Sequence, residues 1–218
     1  TIWLNCMWLK GVVMKAHYNG LIPRNPFIQF HISPNVKERE YLTEDELKAV
    51  MTHEFADSKL AYIRDIFIFA SFTALSFVDI QELTNDNIVE VNGEKWILSK
   101  RHKTKVAFQV KLLDIPLQIV ERYRPMQKDN RIFPGLNYWS ICKPLKRMIR
   151  ECGITKSISF HCSRHGFATL ALSKGMPIES VSRVLGHTNI VTTQLYAKIT
   201  TQKLDLSLIH ISEPTRRV

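Results

Sequence analysis

The densest polar segment of the chain, residues 160–169, reads FHCSRHGFAT and combines two histidines with an arginine. His161, Arg164 and His165 are three and four residues apart, so on a helix they would share one face. Histidines at positions i and i+4 also match the spacing of a zinc site. However, a fixed guanidinium between them repels a divalent ion, and no acidic ligand or general base is nearby. The alternatives are a solvated face or a buried histidine with a hydrogen-bond partner, and the neighbouring apolar residues favour the latter for His165.

A second polar motif, Leu185-Gly186-His187, is followed by a segment, TTQLY, that ends in Tyr196. A glycine lets the backbone turn sharply, which would point the imidazole of His187 in one direction. A tyrosine hydroxyl is one of the groups that form covalent enzyme intermediates. Taken alone, either residue would indicate little, since a tyrosine is most often part of a core or its rim.

In their order and spacing, these motifs resemble the tyrosine recombinases, the family of phage and conjugative-transposon integrases. That family carries an H-x-x-R-H box, an L-G-H box and a nucleophilic tyrosine a short distance beyond. These three motifs in the order of the family are a strong signal, whereas any one of them alone would be weak. The resemblance covers residues 1–205 and implies the DNA breaking-rejoining catalytic fold of the family. That fold is α+β, mainly α-helical with a small antiparallel three-stranded sheet.

The resemblance implies a site-specific recombinase or integrase that cleaves and rejoins DNA for integration or excision of a mobile element. Tyr196 would attack the scissile phosphodiester and form a 3′-phosphotyrosyl intermediate. Arg164, His187 and His161 would hold the phosphate oxygens in the transition state. His165 would support these groups without touching the reacting atoms. This chemistry requires neither a metal ion nor a nucleotide cofactor.

Residues 99–105, SKRHKTK, form a basic connection where the family places its general acid. The lysine of the family, often part of a Lys-Thr pair, maps onto Lys103, which would protonate the departing 5′ oxygen. Lys105 is the rival for this role, and a solvated basic turn that touches the DNA backbone is a further alternative. Lys100, Lys105 and Arg183 are expected to bind DNA.

The first box of the family departs from its usual pattern in this chain. The family's T-G-L-R-x-x-E/D reads TALSFVD at residues 73–79, so Ser76 stands where an active-site arginine is expected. The departure resembles a conjugative-transposon branch of the family. A serine can hydrogen-bond a phosphate oxygen but cannot neutralise it. Ser76 and Asp79 are therefore expected to support the site from outside the reacting atoms.

Arg101 is the candidate for the cation that is missing at Ser76. It lies two residues before Lys103, and a continuing strand would send both side chains toward one face. We therefore expect the Arg101 guanidinium to lie within about one side-chain length of Arg164 and Tyr196, as a catalytic group. The alternative is a surface arginine that contacts the DNA backbone.

Two other functions are compatible with the same residues. A catalytically impaired DNA-binding remnant of a recombinase is favoured by Ser76 and by family helices that are missing at both ends of the resemblance. The retention of Tyr196 and the boxes around it argues against decay. A zinc-dependent hydrolase built on His161, His165 and His187 is the second alternative, which metal analysis of the purified protein would decide.

The segments that position these residues are predicted to be mostly helical. Thr43 and Glu46 give a capping-box signature before an apolar run. The Asn92-Gly93 pair predicts a tight hairpin turn. Pro144 would lie near the start of its helix or kink it. Helices are predicted at 2–17, 58–74, 78–83, 116–123 and 137–151, three short helices at 161–199, and strands at 88–91, 96–98 and 106–112.

The resemblance and the composition together divide the chain into four parts. Residues 1–17 would be the terminal helix of a truncated core-binding domain, followed by a proline-punctuated linker at 18–40. Residues 41–205 would be a catalytic domain that lacks its last helix. The segment LSLIHISEPTR within residues 206–218 looks like the translation of a common sequencing adapter. We therefore expect a non-native tail there that makes few core contacts.

The 218 residues include 30 Lys and Arg against 20 Asp and Glu, a net charge of +10 that favours a polyanionic partner, nucleic acid ahead of a membrane. The resemblance specifies double-stranded DNA. A hydrophobic content of 45% excludes disorder for the bulk of the chain. No apolar run approaches the roughly 18 residues of a membrane span. The cysteines form no CxxC pair, which favours a reducing cytoplasm. The resemblance adds other recombinase protomers as partners, and the nucleoid of a bacterium as the place of use.

Overall fold

The computed structural model describes residues 2–31, 33, 40–102, 105–127 and 129–197. The chain divides into two units, Thr1–Glu38 and Arg39–Val218. The first unit contains helix α1 (Ile2–Tyr18), and none of its described residues is buried. The helix predicted at 2–17 is therefore present. Its assignment to a core-binding domain stays a prediction, as do the other domain limits, and the expected tail at 206–218 lies outside the described residues.

The second unit is mostly helical and carries one small sheet. Its helices are α2 (Glu44–Thr52), α3 (Ser58–Thr73), α4 (Phe77–Gln81), α5 (Asp114–Tyr123), α6 (Tyr138–Glu151), α7 (Cys162–Ser173) and α8 (Ile178–Leu185), and residues 191–197 are also helical. Strands β1 (Ile88–Val91), β2 (Glu94–Lys100) and β3 (Ala107–Lys111) pair in the order β1-β2-β3, both pairs antiparallel. The predicted α+β class, mainly helical with a three-stranded antiparallel sheet, is confirmed.

Helix α3 is the central element of this unit. It packs against α2, α5, α6 and α7, and most of its residues are buried, among them Ile63, Phe67 and Phe69. A helix that is apolar around most of its circumference lies inside a core, which explains this position. The helix ends at Thr73, and the next residue, Ala74, is left-handed with φ 56° and fully buried. The end of α3 thereby reaches the interior of the protein.

The three-stranded sheet forms as the sequence predicts, but strand β2 ends before Arg101, where a continuing strand was expected. The Asn92-Gly93 turn has φ angles of 53° and 77°, as a two-residue hairpin of this kind demands. Strand β2 ends at Lys100, and the Arg101 N–H donates to the carbonyl of Val106 (2.8 Å), which closes a short loop. The continuing strand expected through Arg101 is therefore wrong, because the chain turns back at once.

Two of the predicted helix features, the capping box at Thr43 and the position of Pro144, can be compared with the structure. Thr43 and Glu46 form the predicted capping box, with the Glu46 carboxylate accepting from the Thr43 N–H at 2.7 Å. Pro144 lies inside α6, which continues to Glu151. Among the described helices, none is long and apolar enough to cross a lipid bilayer.

Candidate active site

Arg164 lies where the ends of three helices meet. It sits in the first turn of α7, which packs against α3 and α8, and its side chain is buried. Its guanidinium donates to the carbonyl of Ala74 at the end of α3 (2.8 Å) and to that of Leu185 at the end of α8. Carbonyls at helix C-termini lack partners within the helix and carry partial negative charge, so they suit a buried cation. The sequence thus folds a fixed positive charge into the interior.

The charge on Arg164 persists at neutral pH despite its burial. Burial lowers the pKa of Arg164 to about 10, and the neighbouring Arg101 cation acts in the same direction, opposed by Tyr196 and Asp79. A pKa of about 10 leaves the guanidinium protonated throughout the physiological range. The two carbonyl bonds employ two of its five N–H donors. Arg164 is therefore equipped to bind a phosphate oxygen as well.

Arg101 is buried beside Arg164. One nitrogen of its guanidinium donates to the carboxylate of Asp79 (2.7 Å) and another to the carbonyl of Val184. The guanidinium carbon lies 4.0 Å from the centre of the Phe108 ring, in a cation–π contact. Because Arg101 and Arg164 bind the consecutive carbonyls of Val184 and Leu185, the two cations lie side by side at the end of α8.

The Asp79 carboxylate, which accepts from Ser76, supplies the negative charge next to Arg101. Ser76 caps α4, and its hydroxyl donates to the Asp79 carboxylate at 2.8 Å. Burial alone would raise the pKa of Asp79, but hydrogen bonds from the His102 N–H, Arg101 and Ser76 outweigh it, so the pKa is lowered. Asp79 is therefore ionised and balances the Arg101 cation. The Ser76 hydroxyl, where the resemblance predicts an arginine, is directed to Asp79.

Tyr196 lies in the helical segment 191–197, and its phenol is hydrogen-bonded to His165. The distance between the Tyr196 hydroxyl and His165 Nδ1 is 2.6 Å, and both residues are buried. The His165 ring packs edge-on against the ring of His161, with centroids 4.6 Å apart. Sequence reasoning placed His165 beside the site without contact to the reacting atoms. The structure shows the buried, hydrogen-bonded histidine that the sequence favoured, and its partner is the candidate nucleophile.

His187 follows Gly186, which ends α8 in the left-handed conformation (φ 62°). Its Nδ1 lies 2.8 Å from the hydroxyl of Thr193. Burial lowers the pKa of His187 to about 4, and electrostatic interactions with Arg164, Arg101 and His161 act in the same direction. The imidazole is therefore neutral at pH 7. Sequence reasoning missed Thr193, although its place one helical turn before Tyr196 was a usable signal.

Comparison with known proteins assigns the chain to a family. Residues 40–203 match the model of the phage integrase family. The chain belongs to this family. Tyrosine recombinase XerA of Pyrococcus horikoshii is 32% identical over 177 residues, which are 75% of this chain and 58% of XerA. Tyrosine recombinase XerC of Lactobacillus leichmannii is 26% identical over 211 residues, 90% of this chain and 71% of XerC.

Solved structures share the phage integrase fold with this chain. The Tn1549 transposon integrase in complex with a circular intermediate DNA has a TM-score of 0.74 at 18% identity, covering 86% of this chain and 71% of that one. The XerH site-specific recombinase bound to a palindromic difH substrate in a post-cleavage complex has a TM-score of 0.67 at 22% identity, covering 81% and 54%. The chain thus spans little more than half the length of XerA or XerH.

The remaining predicted site residues of this phage integrase domain lie around the buried cluster. His161 is exposed at the start of α7, where it borders a cavity together with Ser76 and Arg164. Lys100 and Arg183 are exposed and line an open groove that also reaches His187. Lys105 is exposed as well and lies across the loop from Arg101. Lys103 lies outside the described residues.

The described part of this integrase domain brings together groups suited to phosphate chemistry. Two buried guanidinium groups, a neutral imidazole and a phenol meet at the junction of α3, α7, α8 and segment 191–197. Fixed donors in a buried site stabilise developing negative charge more strongly than donors in water. In the described residues, no three His, Cys, Asp or Glu side chains cluster closely enough to hold a metal ion.

Proposed function

We propose that this chain is the catalytic part of a site-specific DNA recombinase that cleaves and rejoins DNA through a 3′-phosphotyrosyl intermediate. One observation supports this most strongly: the Tyr196 phenol is hydrogen-bonded to His165, the residue next to Arg164 on α7. A phenol with a pKa near 10 is a poor nucleophile unless a base accepts its proton. The site supplies both that acceptor and nearby cations.

In the proposed first step, the Tyr196 oxygen attacks phosphorus, and its proton passes to His165 Nδ1. The bond between phosphorus and the 5′ oxygen breaks, and Lys103 protonates the leaving oxygen as general acid. The net bond change is one phosphodiester exchanged for another, so a 5′ hydroxyl can reverse it. This balance needs neither a metal ion nor a nucleotide cofactor.

The transition state carries extra negative charge on its equatorial oxygens. Arg164, Arg101, His187 and His161 would donate hydrogen bonds to those oxygens. The buried ion pair with Asp79 fixes the Arg101 guanidinium before DNA arrives, so little reorganisation remains. Losing one such preorganised donor typically raises a barrier by about 3–4 kcal/mol. Ser76 and Asp79 would act by positioning Arg101.

The proposed partners are double-stranded DNA and further recombinase protomers. The related XerH and Tn1549 structures are complexes with DNA. Lys100, Lys105 and Arg183 are exposed and would contact phosphates independently of sequence. A bacterial cytoplasm, at the nucleoid, is the proposed place of action, because the substrate lies there. Residues 41–205 would be the catalytic domain, preceded by the helix of a core-binding domain and a linker at 18–40.

The test is covalent trapping on a nicked duplex that carries the recombination site of the mobile element. Wild-type protein is expected to give a protein–DNA adduct that survives denaturation. Tyr196→Phe should abolish the adduct while duplex binding stays nearly intact, because phenylalanine fills the same buried space. An adduct that persists in the phenylalanine variant would refute Tyr196 as nucleophile.

Ser76 favours a second candidate, a DNA-binding remnant without cleavage activity. Its hydroxyl donates to Asp79, so Ser76 supplies neither a positive charge nor a free donor to a phosphate. The same trapping experiment separates the two functions. A wild-type chain that binds duplex DNA tightly and never forms an adduct would indicate the remnant.

A further inference from the structure

Thr193 is a fully buried hydroxyl at the centre of the site. It is 0% exposed, and its oxygen lies 2.8 Å from Nδ1 of His187. It also belongs to the helical segment 191–197, one turn before Tyr196. A buried hydroxyl without a hydrogen-bond partner is unfavourable. Because Thr193 is buried, its hydroxyl needs a partner within the protein, and His187 Nδ1 is that partner.

The electrostatic surroundings restrict what His187 can do in this contact. The pKa of His187 is lowered to about 4, first by burial and then by its electrostatic interactions with Arg164, Arg101 and His161. A neutral imidazole has one N–H, so one ring nitrogen donates and the other accepts. The partner of Nδ1 thus decides whether Nε2 carries the proton.

We propose that Thr193 donates its hydroxyl hydrogen to His187 Nδ1 and thereby holds His187 as the Nε2–H tautomer, ready to donate to a phosphate oxygen. The inference deepens the proposed recombinase function and rests on it. A phosphate oxygen is an acceptor only, so the opposite tautomer would present a lone pair to it and repel it. Thr193 is thus a positioning residue.

The same contact links the phosphate donor to the nucleophile. Thr193 and Tyr196 are three residues apart on one helical segment, so they share a face of it. Thr193 binds His187 at the end of α8, while Tyr196 binds His165 on α7. Both contacts are present together with segment 191–197 in this position. The residue that orients His187 and the candidate nucleophile therefore belong to one helical segment.

The experiment uses the full chain with two measurements. The first is single-turnover cleavage of the nicked duplex at saturating protein. The second is the pair of ring 15N shifts of His187 at pH 7, which report the tautomer without DNA. Thr193→Val keeps the shape and removes the hydroxyl, and Thr193→Ser restores it. Thr192→Val is the matched control, because Thr192 is exposed in the same segment.

Thr193→Val is expected to slow cleavage by about ten- to a hundred-fold, as loss of an orienting partner does, with duplex binding unchanged. Thr193→Ser and Thr192→Val should cleave within about two-fold of wild type. In a His187→Ala background, Thr193→Val should have no further effect on the rate. A purely structural role for Thr193 would instead slow cleavage in both backgrounds.

The 15N shifts keep this inference separate from the proposed function. Wild-type His187 should show the Nε2–H tautomer, and Thr193→Val should lose it. A wild-type Nδ1–H tautomer would overturn the inference, even if the protein cleaves DNA. If wild-type protein forms no adduct, the recombinase proposal fails, and the tautomer measurement still decides the role of Thr193.

Discussion

At the scale of single residues, Ser76 and Arg101 bind the same carboxylate, that of Asp79, from distant parts of the chain. Ser76 stands where the resemblance leads one to expect an arginine, and its hydroxyl binds Asp79. Arg101 reaches the same carboxylate from the end of β2 and lies beside Arg164. That Arg101 takes the place of the expected arginine is therefore a prediction, which variants of Arg101 and Ser76 can test.

We expect Arg101→Ala to raise the cleavage barrier by about 2–4 kcal/mol and to change duplex binding much less, since a transition-state donor is lost. Ser76→Ala should have a much smaller effect, chiefly a loss of about 1 kcal/mol of stability with the helix cap. Single-turnover cleavage at saturating protein is the measurement. Arg101→Lys is the second variant, because it keeps a charge opposite the buried Asp79 carboxylate.

Two outcomes would contradict this assignment of Arg101. If Arg101→Ala weakens binding and flattens its salt dependence while cleavage of saturated DNA is unchanged, Arg101 is a DNA-backbone contact. If Ser76→Ala is the crippling change and Arg101→Ala is silent, the replacement has not occurred. Circular dichroism of each variant verifies that the fold is intact.

The neutral state of His187 predicts a pH dependence of stability. Its pKa is about 4 in the folded chain against an ordinary value of 6.5, so between these values the unfolded state binds more protons. The free energy of unfolding should therefore fall as pH is lowered from 6.5 to about 4. Urea unfolding of wild type and His187→Gln should show a smaller loss in the variant. An equal loss in both would mean that His187 does not contribute.

At the scale of elements, the end of α8 is the junction on which the site depends. Gly186 adopts φ 62°, and a Cβ added there would lie 2.9 Å from both Cγ and Nε of Arg101. The glycine is thus needed for the left-handed turn, and its missing Cβ leaves the space that the Arg101 side chain occupies. Helix α8 packs against α7 and β3, so the same turn joins the sheet to the helices.

Gly186→Ala should therefore destabilise the fold and displace Arg101. The left-handed backbone alone is unfavourable for alanine by about 1–2 kcal/mol, and the clash with Arg101 adds to it. Gly175→Ala is the matched control, because its φ is 86° and no described atom lies within 4 Å of the added Cβ. Urea unfolding and cleavage rates are compared. Equal effects on cleavage in the two variants would exclude a specific role for the Gly186–Arg101 contact.

At the scale of the whole molecule, the net charge of +10 serves the proposed DNA binding. Lys100 and Arg183 line an open groove at His187, and Lys105 is exposed on the loop that begins at Arg101. Basic side chains at these places would hold the duplex over the buried cluster. Such contacts release counterions and make the affinity fall steeply with salt.

Replacing Lys100, Lys105 and Arg183 together by alanine should lower the salt slope of log Kd. About 0.9 of the slope is expected to be lost for each phosphate contact removed. The measurement is duplex binding from low to high salt by fluorescence anisotropy. Lys48→Ala is the control, since Lys48 already pairs with Glu44 (3.7 Å). The prediction fails if the triple variant keeps the wild-type slope.

The sequence by itself determined the order and type of the elements and the family of the chain. The Thr43–Glu46 capping box and the Asn92-Gly93 turn formed as predicted, because each depends on residues that are close in the chain. The central position of α3 also follows from its own apolar pattern. The H-x-x-R-H and L-G-H motifs and Tyr196 could be recognised in the sequence for the same reason, since each is short and local.

Only the tertiary structure decided which side chains meet. The bond of Tyr196 to His165, that of His187 to Thr193, and the pair Arg101–Asp79 join segments from different elements. Their partners depend on how helices pack and where strand β2 ends, and no local pattern encodes those positions. A one-residue change in the end of a strand redirects a side chain, because successive residues face opposite sides.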